Sequence, residues 1–192
     1  TAESLKLGID ITRYSWKTLA SQEPNRYPKE LFTVLESTWV FNTVEWLDHY
    51  AKRDWTLTHM DYELDNVLID DDGPIVIDWQ SPMISHPGVD LAWLLAASHS
   101  EETLAVEEDF LKLYRDILSS SGGPSWSAQE LEEALAWGIL YPVSCQAVPY
   151  LQDVSAYGEG AERMHQRFEK FLQGSIDAAV RWNLVDHLQP LI

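Results

Sequence analysis

The chain has 192 residues, with 13 Lys and Arg against 31 Asp and Glu, so its formal charge is −18 at pH 7. With 45% hydrophobic residues it can build a core, which excludes a disordered acidic tail. The charge argues against a nucleic-acid or anionic-membrane surface, because binding phosphates needs clustered Lys and Arg. It suits a cationic partner, or only a well-solvated surface. The single cysteine, Cys145, excludes an intramolecular disulfide framework and a Cys-rich zinc site, and it fits a reducing cytoplasm.

The first ten residues lack a basic start followed by an apolar run, so they do not read as a signal peptide. Position 1 is not Met, which suggests a fragment of a longer chain. Residues 3–20 read as a helix, 25–28 as a loop, and 29–52 as a long helix with Pro28 just before its first turn. The pattern then turns short, apolar and β-branched. Residues 55–59 form one such run, 66–69 a second and 75–79 a third. The last two are joined by Asp70-Asp71-Asp72-Gly73-Pro74 and read as a hairpin with a solvated turn rather than a metal cluster.

From Gly88 onward the pattern is helical again, over 89–97, 101–119, 127–148 and 158–183. Ser127 and Glu130 have the spacing of a capping box. Residues 134–152 carry no charged side chain, but Pro142 and Pro149 interrupt them, so they read as buried helical core rather than a membrane span. The expected fold class is α+β and mainly helical, one domain over residues 1–192, with a small β hairpin.

The chemistry concentrates in His59-Met60-Asp61-Tyr62-Glu63-Leu64-Asp65-Asn66 and in Ile75-Val76-Ile77-Asp78-Trp79. Asp61 and Asn66 lie in a loop between two β runs, and Asp78 ends an apolar run. Hard oxygen donors of this kind suit Mg²⁺, which takes one or two carboxylates plus phosphate oxygens. A second carboxylate, free of the metal, can orient a hydroxyl and accept its proton. Together these are the minimum equipment for phosphoryl transfer, where positioning and charge neutralisation carry most of the catalysis. The same carboxylates would also serve a metal-dependent hydrolase with two metal ions. No zinc spacing links the histidines, and no G-x-S-x-G motif occurs.

Three pieces stand in order: Leu57-Thr58-His59-Met60-Asp61 through Asn66, then Ile77-Asp78-Trp79, then Asp90-Leu91-Ala92. In these the chain resembles the aminoglycoside phosphotransferase and choline kinase family, which shares the protein-kinase-like fold. The resemblance implies ATP- and Mg²⁺-dependent phosphorylation of a hydroxyl on a small molecule. It implies that Asp61 is the catalytic base and that Asn66 and Asp78 bind Mg²⁺ and, through it, the ATP phosphates. His59 would brace the loop, and Asp90 would hold it from behind.

Two departures stand beside it. Met60 occupies the family's usual Gly position. No Gly-rich loop and no Lys in a V-A-I-K-like strand precede His59. The resemblance therefore covers the C-terminal, catalytic and acceptor-binding lobe, and the nucleotide-covering lobe is absent from this chain. Alone, the lobe is expected to be inactive or weak, and the surface left by the missing lobe would favour self-association. The competing reading is a pseudokinase-like lobe acting as an acidic interaction module. For the acceptor, aromatics and carboxylates after Asp90 suggest a pocket for an amine-bearing substrate such as an aminoglycoside. Asp153, Tyr157 and Glu159 are its candidate residues. Neither nucleic acid nor membrane is expected as a partner.

Overall fold

A computed structural model describes residues 2–38 and 55–188. The outer part of the expected 29–52 helix, residues 39–52, lies outside the described residues. The chain runs α1 (Ala2–Gln22), α2 (Lys29–Thr38), β1 (Thr56–Thr58), a 3₁₀ turn (Leu64–Asn66), β2 (Val67–Asp70), β3 (Gly73–Val76) and β4 (Met83–Ser85). It continues with α3 (Gly88–Ala97), α4 (Glu101–Ser120), α5 (Ala128–Cys145), α6 (Ala147–Tyr150), a second 3₁₀ turn (Ser155–Gly160), α7 (Ala161–Arg181) and α8 (Leu184–Leu188). The protein is mainly helical with very little sheet, as its sequence predicts.

The sheet content differs from the expected single hairpin. β2 and β3 form that hairpin, with Val67 opposite Val76 and Asp70 opposite Gly73. Its turn closes as expected of a solvated turn: Asp70 Oδ1 accepts the amides of Asp72 at 2.9 Å and Gly73 at 3.1 Å. The 55–59 run, however, finds its own partner. β1 pairs antiparallel with β4, Leu57 opposite Ile84. β4 is only three residues long and follows Ser81-Pro82, so its sequence gives little strand signal.

The helices pack around α3. Its sequence, GVDLAWLLAA, is apolar nearly all round, as expected of a helix buried on every side. It crosses α5 so closely that a Cβ on Gly138 would sit 1.9 Å from the Gly88 carbonyl oxygen. On the other side, a Cβ on Gly174 of α7 would sit 2.2 Å from the Ala96 carbonyl oxygen. Glycine at these two crossings sets how near the helices come, and therefore where the first turn of α3 lies.

The uncharged segment is buried as expected: Leu135, Trp137, Ile139 and Val143 of α5 lie in the core with Trp16, Leu35, Leu95, Leu172 and Ile176. Burying side chains of this size contributes about 1.5–3 kcal/mol each. The predicted 127–148 helix breaks after Cys145 and resumes as α6, with Pro142 inside α5. Its capping box forms: Ser127 N–H donates to Glu130 Oε2 at 2.7 Å, and Glu130 N–H donates to Ser127 Oγ at 3.2 Å.

α1 is tied to α5 by Trp16 Nε1–H donating to the Ser144 carbonyl at 2.8 Å. α4 is tied to the end of α7 by a two-pronged Arg181–Glu107 pair at 2.8 and 2.7 Å. Among the described residues, no helix is long and apolar enough to cross a membrane.

Candidate functional site

The loop 59–66 leaves β1 and enters β2, and it is fixed at both ends by one peptide unit pair at Ile77. His59 is almost fully buried, and its Nε2–H donates to the Ile77 carbonyl at 2.8 Å. The Ile77 amide donates to the Asn66 carbonyl at 2.9 Å. The first and last residues of the loop are thereby clamped to the residue preceding Asp78. Trp79 closes over this clamp, its ring edge-on to His59 at 4.7 Å and its Nε1–H donating to the Val76 carbonyl at 3.0 Å.

Asp90 lies in the first turn of α3, behind the loop. Its Oδ2 accepts the His59 amide at 2.7 Å, and its Oδ1 accepts the Met60 amide at 2.9 Å. Hydrogen bonds to an ionised acceptor are the strong ones, and two of them fix a chain direction. Met60 needs such fixing. Its φ is +69°, in the left-handed region that favours glycine, and its side chain is buried. Met at a position where the family usually has Gly therefore keeps a glycine-like backbone, with a buried side chain in place of hydrogen.

Asp61, Asn66 and Asp78 have the donor chemistry a Mg²⁺ site needs. Asn66 is buried, and its Nδ2 donates to the Asp61 carbonyl at 2.8 Å. With the amide nitrogen engaged inward, Oδ1 is the atom left to face a cation. Asp78 has φ +62° and is exposed, and among the described residues no hydrogen bond or ion pair engages its carboxylate. Among the described residues no cluster of three or more His, Cys, Asp or Glu stands ready for a metal. One carboxylate and one amide oxygen fit a Mg²⁺ that takes its other ligands from phosphates and water.

The charges around Asp61 couple to its neighbours. Burial, with Asp61 and Asp65 close by, lifts the Glu63 carboxyl above its usual range, against the pull of Arg167. Glu63 and Arg167 form an ion pair. Desolvation, then Cys145 and Asp61, raise the Tyr141 hydroxyl. Tyr141 stacks on Trp93 at 5.9 Å, and Trp93 meets Phe171 edge-on at 5.0 Å. Phe171 lines a cavity of about 450 Å³ that also takes in Glu63, Asp65 and three basic side chains of α7. These neighbours are not motif residues. Their one legible trace in the sequence is the i, i+4, i+7 spacing of Arg163, Arg167 and Lys170.

The residues expected to hold an acceptor lie elsewhere. Asp153, Tyr157 and Glu159 are exposed around the second 3₁₀ turn, and none lines this cavity. Asp153 accepts the Ser155 amide at 2.9 Å. Among the other aromatics, Trp137 is core, and Tyr150 is bound up with Glu23 at 2.7 Å and Arg26 at 3.0 Å. Cys145 donates to the Pro142 carbonyl at 3.5 Å, and burial pushes its thiol up to about 12, which suits a small hydrophobe and not a nucleophile.

A family model described as the phosphotransferase enzyme family matches residues 6–128, well over half of the chain. The chain belongs to the phosphotransferase enzyme family. Comparison with curated proteins and with solved structures gave no match. Family membership implies phosphotransferase activity in general. The matched span holds His59, Asp61, Asn66, Asp78 and Asp90, and it ends before Asp153, Tyr157 and Glu159.

Proposed function

We propose that the chain is the C-terminal, catalytic lobe of a small-molecule kinase, transferring the γ-phosphoryl group of ATP to a hydroxyl. The reading is carried by the Ile77 clamp. It ties both ends of the loop bearing Asp61 and Asn66 to the residue before Asp78. In this reading Asn66 Oδ1 and the Asp78 carboxylate hold Mg²⁺, which neutralises phosphate charge when bound. Asp61 orients the acceptor hydroxyl and takes its proton. The hydroxyl oxygen bonds to the γ-phosphorus as the bond to the β–γ bridging oxygen breaks, and ADP leaves. His59 and Asp90 touch no reactant. They hold the loop, and Asp90 also supports the left-handed turn at Met60.

A second reading is favoured by the β strands. Leu57 and Ile84 are exposed on the β1–β4 pair, as are Leu68, Ile69 and Ile75 on the hairpin. Exposed cross-strand pairs of this kind, Leu57 with Ile84 and Leu68 with Ile75, suit a covering lobe or partner, and on them the chain would act as an interaction module. The test is transfer of radiolabelled γ-phosphate from Mg·ATP to a panel of hydroxylated small molecules, joined to the covering lobe if the chain alone is weak. Transfer that falls at least a hundredfold in Asp61→Asn supports the kinase. Transfer indifferent to Asp61→Asn contradicts the role given to it.

A further inference from the structure

The cavity beside the loop has the wrong sign for this protein. The chain carries −18 overall. Yet Arg163, Arg167 and Lys170 line one small cavity, facing Glu63 and Asp65. Spaced i, i+4 and i+7 on α7, the three cations share one helix face. Arg167 is engaged by Glu63. Lys170 lies near the fully exposed Glu102. Among the described residues, Arg163 has no ion pair. Ser98, at the end of α3, lies on the same lining.

The cavity is also continuous with the loop. Glu63 and Asp65 fall between Asp61 and Asn66 in the chain, and the Glu63 carboxyl feels the charge of Asp61. A volume of about 450 Å³ fits a small organic molecule. Guanidinium and ammonium groups recognise carboxylate and phosphate oxygens by charge-assisted hydrogen bonds, and here three cations face two carboxylates, with Glu63 engaged by Arg167 and Arg163 left without an ion pair among the described residues.

We propose that this cavity is the anion-binding subsite of the acceptor: the phosphorylated molecule bears a carboxylate or phosphate, held by Arg163 and Lys170. The assignment rests on the kinase reading for its role, but its binding test needs neither nucleotide nor turnover. Both side chains are exposed, so replacing them does not open the core.

The experiment is ligand-observed NMR on the chain with four small probes: glycerol 3-phosphate, D-glycerate, glycerol and the amine serinol. One or both anions should bind at least tenfold more tightly than glycerol and serinol, and which of the two does so identifies the acidic group. In the Arg163→Gln/Lys170→Gln double variant that preference should fall at least tenfold. The Lys29→Gln/Lys112→Gln double variant, at two exposed lysines outside the cavity, removes the same charge and should leave it unchanged. No preference for the anions, or the same loss in Lys29→Gln/Lys112→Gln, overturns the proposal. Anion preference without any phosphoryl transfer, even by the chain joined to its covering lobe, would keep the subsite and remove the kinase reading. Transfer to a neutral or amine acceptor, without anion preference, would do the reverse.

Discussion

The Asp90 carboxylate accepts the Met60 amide at 2.9 Å, at a residue whose φ is +69°. Its other oxygen takes the His59 amide at 2.7 Å. A carboxylate has acceptor sites on both oxygens, whereas an amide side chain offers one oxygen and turns an N–H toward the second donor. Asp90→Asn should therefore lose one charge-assisted hydrogen bond and weaken the other. A hydrogen bond to a charged group contributes about 1.5–3 kcal/mol. The expected loss is of order 2 kcal/mol, measured as a shift of the urea midpoint at unchanged slope. A shift below the scatter of the measurement would mean that Asp90 does not hold the loop.

Met60 gives a prediction against ordinary preference. Truncating a buried Met costs about 2–5 kcal/mol. Met60→Ala pays that and keeps a Cβ in the left-handed region, which costs about 1–2 kcal/mol. Met60→Gly pays it and relieves the backbone, offset by about 0.5–1 kcal/mol from the greater freedom of unfolded glycine. Both variants should melt below the parent, with glycine the more stable of the two. An alanine variant more stable than the glycine one would show that the positive φ is not part of the native state.

Much of this was legible in the residues, and the rest was hidden for physical reasons. Polar residues of fixed type at fixed spacing carry their own signal, so the loop from His59 to Asn66, Asp78 and Asp90 stand out without a structure. Long periodic helices do too, and the α5 cap at Ser127 and Glu130 forms as read. The β1–β4 pair was not legible, because three-residue strands have almost no periodicity and their register is set by tertiary contact. The convergence of Arg163, Arg167 and Lys170 on Glu63 and Asp65 was not legible either. It depends on how closely α3 crosses α5 and α7, and the glycines that permit this are spread from 88 to 174.

That crossing makes Gly138 the position where helix propensity gives the wrong sign. In an exposed helix, Gly→Ala gains about 1 kcal/mol. Here the new Cβ would sit 1.9 Å from the Gly88 carbonyl oxygen, backbone against backbone. Overpacking of this kind costs about 1–3 kcal/mol, so Gly138→Ala should lower the melting temperature. Because α3 must move, amide exchange at His59 and Met60 should also speed up. A variant that melts higher, with those amides still protected, would mean that the crossing has room to spare.

The most direct test of the kinase reading is calorimetric titration of Mg·ATP, and of ATP with EDTA, into the protein and into Asp78→Ala. Asp78 is exposed and its carboxylate engages no described side chain, so its loss opens no cavity, and Ala at its φ of +62° costs only about 1–2 kcal/mol. The account predicts binding that requires Mg²⁺ and weakens at least tenfold in Asp78→Ala. Binding that is equal with EDTA, or unchanged by Asp78→Ala, would contradict it.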